Sequence, residues 1–260
     1  KRVREVTIRE DEERYRRLLV ERNMLQDQLH RSSKVASIGE LAAGIAHEIN
    51  NPLGIILGFV QDILDEIPLD DPLFESIKII EKETARCVDV VKNLLDFARL
   101  KPPEKTTVDI IELLEGSIVL LMPGIKKNKV SIKKIFEMEL PHIKLDAQLI
   151  QQVFLNVMIN AVQAMPAAGV LALDVGLVRK ALFQEPGDWI RITISDTGIG
   201  ISEKNIHRVF DPFFTTKGSK GTGLGLSVCQ RIMEDHHGKI EIERQKESGT
   251  ICRLYFPIKG

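Results

Sequence analysis

No run of about 18 apolar residues occurs, and no basic segment leads into a short apolar one, so no membrane span or export signal is expected. Cysteine is scarce. Cys87, Cys229 and Cys252 are scattered without C-x-x-C spacing, which excludes a disulfide framework and reads as reduced, mostly structural thiols of a cytoplasmic protein. Excess charge is also absent: 36 Lys and Arg against 37 Asp and Glu leave −1, so nucleic acid and anionic membrane are not expected partners. There is no internal repeat and no low-complexity tract. What remains is ordinary for a folded soluble chain, with 43% hydrophobic and 28% charged residues over 260 positions, enough for more than one domain. A start at Lys1 rather than methionine leaves room for a sensor or membrane segment upstream.

Residues 1–33 are highly charged, with Leu18, Leu25 and Leu29 at heptad-compatible positions, and read as a weak coiled coil that needs a partner strand. Its register slips before the next stretch, where Ile38, Ala42, Ile45, Ile49, Ile56, Phe59 and Ile63 recur at helical spacing. At roughly 100° per residue His47 lies about 200° from Ile45, pointing away from that stripe, and Asn51 lies about 40° from His47. Pro52 predicts a local bend just past His47. The segment Ile67-Pro68-Leu69-Asp70-Asp71-Pro72 breaks the helix, with Asp71 as cap and Pro72 at the first position of a second helix over 72–100. That helix repeats Leu73, Ile77, Ile80, Thr84, Cys87, Val91, Leu94 and Ala98. Two antiparallel helices with narrow seams cannot close a core alone, so a homodimeric four-helix bundle is expected. Lys101-Pro102-Pro103-Glu104 ends the hairpin as a short stiff linker.

From Val108 the pattern turns to mixed α and β. A short strand opens at Val108, and a helix follows over 110–121. Strands are expected over 130–136 and 143–145, and a helix capped by Asp146 runs to about Met165. A hairpin of strands covers 170–178 and 189–195, a helix 223–236, and two last strands 239–244 and 249–256. Strands with helices on one face imply an α+β sandwich.

Chemistry-bearing residues cluster in this second half. Asn156 and Asn160, four apart, project from one helix face; an amide oxygen can enter a magnesium shell and an amide nitrogen can donate to phosphate. Asp196-Thr197-Gly198-Ile199-Gly200 follows a strand, where a carboxylate can accept from the amine of adenine. Gly221-Thr222-Gly223-Leu224-Gly225-Leu226 runs into a helix and offers N–H groups to phosphates. No GKS or GKT follows, so this is not a Walker loop, and no N-terminal βαβ unit precedes it, so it is not a Rossmann fingerprint. His236-His237 has no third metal ligand at suitable spacing.

Five stretches in order carry a family resemblance: His47-Glu-Ile-Asn-Asn-Pro-Leu53, Asn156-(x3)-Asn160-Ala161, Asp196-Thr-Gly-Ile-Gly200, Phe210-Asp-Pro-Phe-Phe-Thr-Thr-Lys217 and Gly221-Thr-Gly-Leu-Gly-Leu226. They resemble the H, N, G1, F and G2 boxes of bacterial two-component sensor histidine kinases, over roughly residues 34–260. The resemblance implies a multidomain α and α+β chain. Its parts would be an N-terminal signalling coiled coil (1–33), a dimerisation and phosphotransfer hairpin (34–101), a linker (102–104) and an ATP-binding GHKL (Bergerat) sandwich (105–260).

By that resemblance His47 takes the γ-phosphoryl group of ATP, Glu48 takes or orients its proton, and Asn51 orients a water that dephosphorylates the response regulator. Asn160 holds Mg²⁺ with Asn156 on the phosphates and Gln163 lining the same pocket. Asp196 reads adenine with Gly198, Gly200 and Thr250. A mobile lid from about Ser202 to Gly221, anchored by Phe210 and Phe214, brings Lys217 to the phosphates, and Gly221, Gly223, Leu224, Gly225 and Leu226 supply the second glycine box. The implied function is ATP-dependent histidine autokinase, transfer to an aspartate of a response-regulator receiver domain, and phosphatase action on that regulator. Asn156 stands where gyrase-like relatives carry a water-activating glutamate, which implies slow ATP hydrolysis and disfavours an ATPase clamp. A nucleotide-binding scaffold without kinase activity is disfavoured by the complete set of boxes.

Overall fold

The computed structural model describes residues 48–98, 102–137, 139–179, 182–183, 187–218, 221–245 and 248–258. The expected coiled coil and His47 itself lie outside the described residues. The chain divides into two compact units, 1–99 and 100–260.

In the first unit, helix α1 is described over 48–66 and continues through Pro52. Asp71 Oδ1 accepts from Leu73 N at 2.7 Å and closes a turn, so α2 (Phe74–Ala98) begins two residues later than the proline suggested. The covered row of α1 is not the expected stripe. Val60 is buried, Leu53, Leu57 and Leu64 are half-buried, and on α2 Thr84 and Val91 are buried. Ile56, Phe59 and Ile63 are 44%, 66% and 42% exposed. α1 therefore carries two apolar rows about one residue apart. The hairpin covers one row, and the described part of the row read from the sequence, Ile49, Ile56, Phe59 and Ile63, remains on the surface with Leu73 and, on α2, Ile80.

The second unit begins with β1 (Thr106–Val108), which ends rather than opens at Val108. Helix α3 (Ile110–Lys127) starts where Asp109 accepts from Ile111 N at 2.8 Å and Glu112 N at 3.2 Å. It runs six residues past the expected end at Leu121, through Pro123. Pro123 and Val119 are exposed, so the carbonyl that proline leaves without a donor can turn to water, while Leu121 and Ile125 continue the buried row Ile110, Leu114, Ile118. Strands β2 (Val130–Phe136) and β3 (Ile143–Leu145) follow, then α4 (Ala147–Gln163), capped by Asp146 as expected. β4 (Gly169–Arg179) and β5 (Asp188–Asp196) form the expected antiparallel pair. A one-turn helix, α5 (Glu203–Ile206), precedes α6 (Gly225–Asp235), β6 (Lys239–Arg244) and β7 (Thr250–Pro257).

The five-stranded sheet has order β2-β4-β5-β7-β6, and β1 and β3 form a separate antiparallel pair. Only β2–β4 is parallel; its crossover includes α4, as a parallel pair requires. Alternate residues of three strands are buried: Leu171, Leu173 and Val175; Ile190, Ile192 and Ile194; Cys252, Leu254 and Phe256. They meet the buried rows of α3, α4 and α6 on one face, with Phe154 edge-on to Phe256 at 6.5 Å. The opposite face carries the ion pairs Arg191–Asp174 at 2.9 Å and Arg253–Glu243 at 2.7 Å, beside a small aromatic cluster in which Phe183 packs edge-on against Trp189 and Tyr255. This is the α/β sandwich expected, with helices on one side of a mixed sheet.

Candidate nucleotide site

Alternation along β5 carries Ile190, Ile192 and Ile194 into the core and leaves Asp196 as the next inward residue. Asp196 is only 4% exposed and pairs directly with Thr250 of β7. Its carboxylate accepts from Gly198 N at 2.8 Å and from the backbone and hydroxyl of Thr250. Burial raises its pKa from the usual 3.8, and these hydrogen bonds oppose the rise. Gly249, at φ +107°, passes so close that a Cβ would stand 1.9 Å from the Asp196 carbonyl oxygen. The loop after Asp196 is held from both sides. Thr197 Oγ1 accepts from Val170 N at 3.0 Å, Ile199 N donates to Ala164 O at 3.1 Å, and the Ser248 hydroxyl donates to Gly198 O.

Helix α4 ends beside that loop. Its core side is Ile150, Val153, Phe154, Val157, Met158, Ala161 and Val162; Asn156 and Asn160 are half-buried and Gln163 is exposed on the remaining side. Asn156 meets the start of α6: a Cβ on Gly225 would stand 3.7 Å from its Cγ. Its side chain also hydrogen-bonds Cys229, whose buried thiol is pushed up to about 12 and is therefore chemically inert. One turn on, Asn160 Oδ1 and Gln163 Oε1 both accept from Lys217 Nζ, at 2.6 and 2.7 Å. Crowding around this ammonium lowers its pKa from the usual 10.5, although the residue as a whole is exposed.

Between Asp196 and α6 the chain makes a strap over 201–218. Val209 is buried, Phe210 and Phe214 are half-buried, and the Arg208 guanidinium lies 4.4 Å from the Phe214 ring centroid. Phe213 N donates to Gly223 O at 3.0 Å. Gly223, at φ +69°, has room for hydrogen only, since a Cβ there would stand 2.4 Å from Phe213 C. Leu224 is buried, with Gly225 and Leu226 half-buried at the opening of α6, where free N–H groups accumulate. The buried carboxylate, the amides of α4, a lysine and a helix N-terminus thus gather in one unit. A base with an exocyclic amine at Asp196 and an anion toward α6 suit these groups.

Two domain families match. Residues 37–103 match the His Kinase A (phospho-acceptor) domain, and residues 145–260 match the histidine kinase-, DNA gyrase B- and HSP90-like ATPase. The chain belongs to the two-component sensor histidine kinases. It is 33% identical to sensor histidine kinase ZraS of Escherichia coli over 94% of this chain and 50% of that protein. The kinase core thus spans about half the length of the curated relative it matches. Full-length ShkA in complex with AMPPNP superposes with a TM-score of 0.70 at 26% identity, covering 84% of this chain and 45% of that one. Histidine kinase ThkA in complex with response regulator TrrA does so with 0.62 at 29% identity, covering 88% and 64%.

Of the residues singled out from the sequence, Asn156, Asn160, Gln163, Asp196, Gly198, Gly200, Lys217, Gly221, Gly223, Leu224, Gly225, Leu226 and Thr250 all lie in the second unit. Glu48 and Asn51 are exposed on α1 in the first, and His47 lies outside the described residues. Three residues that shape the site were given no role in the sequence reading. Ser248 and Gly249 brace the Asp196 loop from the β6–β7 turn, where only the Ser-Gly pair marked a turn. His236, set aside as a metal ligand, accepts from Asp146 N at 3.0 Å through Nε2 and donates from Nδ1 to Ile232 O at 2.7 Å. It joins the end of α6 to the cap of α4.

Burial lowers the His236 pKa from the usual 6.5; Lys105 lowers it further, while the Ile232 carbonyl, Asp146 and Asp235 raise it. A depressed folded value means that its share of stability is complete above about 6.5 and is lost as pH falls from there through the folded value. His236→Leu leaves the Asp146 N–H unpaired and should cost about 1–3 kcal/mol at neutral pH. It should also flatten the loss of melting temperature between pH 7.5 and 5.5, measured by calorimetry.

Proposed function

We propose that this chain is an ATP-dependent protein-histidine autokinase whose phosphoryl acceptor is His47. The observation that carries this reading is the Asp196 carboxylate, buried at a strand end beside the α4 amides and the α6 N-terminus, in a chain that also carries a phospho-acceptor domain. Its division into a coiled coil (1–33), a phosphotransfer hairpin (34–101), a linker (102–104) and a catalytic domain (105–260) belongs to the same proposal. Asp196 accepts the adenine amine, aided by Thr250 and the loop through Gly198 and Gly200. The triphosphate lies toward Asn156 and the N–H groups of 223–226, with Lys217 as the mobile positive charge.

The residues present suit a divalent cation. Asn160 Oδ1 already holds a positive charge, and a single neutral amide oxygen leaves the remaining positions to phosphate and water. Asn160 would hold Mg²⁺, which when bound neutralises and orients the phosphates. The neutral His47 imidazole attacks the γ-phosphorus, forming an N–P bond as the bond to ADP breaks, while Glu48 takes or orients the other ring proton. The phosphoryl group then passes to an aspartate of a response-regulator receiver domain. Asn51, four residues after His47, orients water for the reverse function, hydrolysis of the phosphorylated regulator. The ThkA–TrrA complex supports a regulator as partner. The exposed row Ile49, Ile56, Phe59 and Ile63 supports a homodimer, since an isologous interface would cover it with its own copy.

Four outcomes test this reading. Incubation with γ-labelled ATP should give acid-labile, alkali-stable label on the chain, absent in His47→Ala; Asp196→Asn should weaken nucleotide binding about 10–100-fold through loss of a charged hydrogen-bond acceptor. Label retained in His47→Ala would sink the assignment. Ile63→Asp counts twice in a symmetric dimer and should raise the dissociation constant by at least about 100-fold, read by sedimentation. Asn51→Ala should leave autophosphorylation intact and slow regulator dephosphorylation by at least about tenfold, the scale of a water-positioning group.

A further inference from the structure

Lys217 lies 57 residues from Asn160 and 54 from Gln163, yet its ammonium holds the carboxamide oxygens of both, at 2.6 and 2.7 Å. These are short, charge-assisted bonds between the strap and α4. The strap is arranged to deliver them: Lys217 N donates to Thr215 Oγ1 at 3.1 Å, and Phe213 N donates to Gly223 O. One of the two oxygens the ammonium grasps, Asn160 Oδ1, is the one assigned above to the divalent cation. An Mg²⁺ ion sits about 2.1 Å from its ligand oxygens. Bound to Asn160 Oδ1 while Lys217 stayed in place, it would stand within about 5 Å of a second cation, and the two would repel. Phosphate oxygens, being anionic, are also better acceptors for the ammonium than neutral amides.

We propose that Lys217 is a placeholder cation. In the nucleotide-free protein it occupies the charge position of Mg²⁺ on Asn160, with Gln163 as the second half of the clasp. Mg²⁺–ATP binding displaces it toward the phosphates and releases the strap from α4. Strap release and metal binding are then one linked equilibrium, and Gln163 favours the closed, metal-free state rather than lining the loaded pocket. This rests on the reading of Asn160 as the cation ligand.

The test uses the full chain and Gln163→Leu, an exposed change at the end of α4 that leaves Asn160 intact. Without nucleotide, amide hydrogen exchange of the 211–218 segment should speed up in Gln163→Leu and in Lys217→Met. The double variant should exceed neither by much, because both remove one clasp. At fixed fluorescent ATP analogue, the Mg²⁺ concentration for half-maximal binding should fall about three- to tenfold in Gln163→Leu, the loss of one competing hydrogen bond. An unchanged or higher Mg²⁺ midpoint, or unchanged exchange, overturns the clasp. Mg²⁺-dependent binding that survives in Asn160→Ala would instead overturn the assignment of Asn160, a separate outcome.

Discussion

The pairing of Asp196 with Thr250, the last rung of the β5–β7 ladder, is the contact on which the catalytic unit depends. Below it, Ile190, Ile192 and Ile194 lock the register by filling the core, and a slip of one residue would turn that row outward and Asp196 with it. The register therefore places a carboxylate where burial penalises its charge and Gly198 and Thr250 partly compensate. Such a group favours the neutral form on folding: its stabilising effect is complete below the usual aspartate value and fades as pH rises through the higher folded one. The protein tolerates that cost at the position where a ligand's amine can be recognised.

Helix α4 links this point to the rest of the site. One side of it is core, anchored by Phe154 against Phe256; the other carries Asn156, Asn160 and Gln163; and its end holds the Asp196 loop through Ala164 and Ile199. Its cap, Asp146, is in turn held by His236 from α6. The helix whose N-terminus faces the amides is thus fastened at its far end to the start of the helix that bears them. Positioning here comes from shared elements rather than from a rigid loop.

Much of this was legible beforehand. The strand pair β4–β5, the Asp146 cap and the two glycine boxes were readable because each rests on local signals: alternation, a capping carboxylate, glycine at a turn. The one-turn α5 and the last turns of α3 were not. α5 is too short for periodicity to register, and Pro123 signals an end that an exposed face allows the helix to ignore. In α1 both apolar rows share one period, so spacing alone could not say which one the hairpin would cover.

The order and identity of the boxes were determined by the sequence itself, because the reacting groups must be particular residue types at particular spacings. Tertiary structure alone decided which of them meet. The short approach of Lys217 to Asn160 and Gln163, the Ser248 and Gly249 brace on the Asp196 loop, and the parallel seat of β2 against β4 join residues dozens of positions apart. Such contacts exist only once burial of the helix rows against one sheet face has brought those segments together, and no local pattern encodes them.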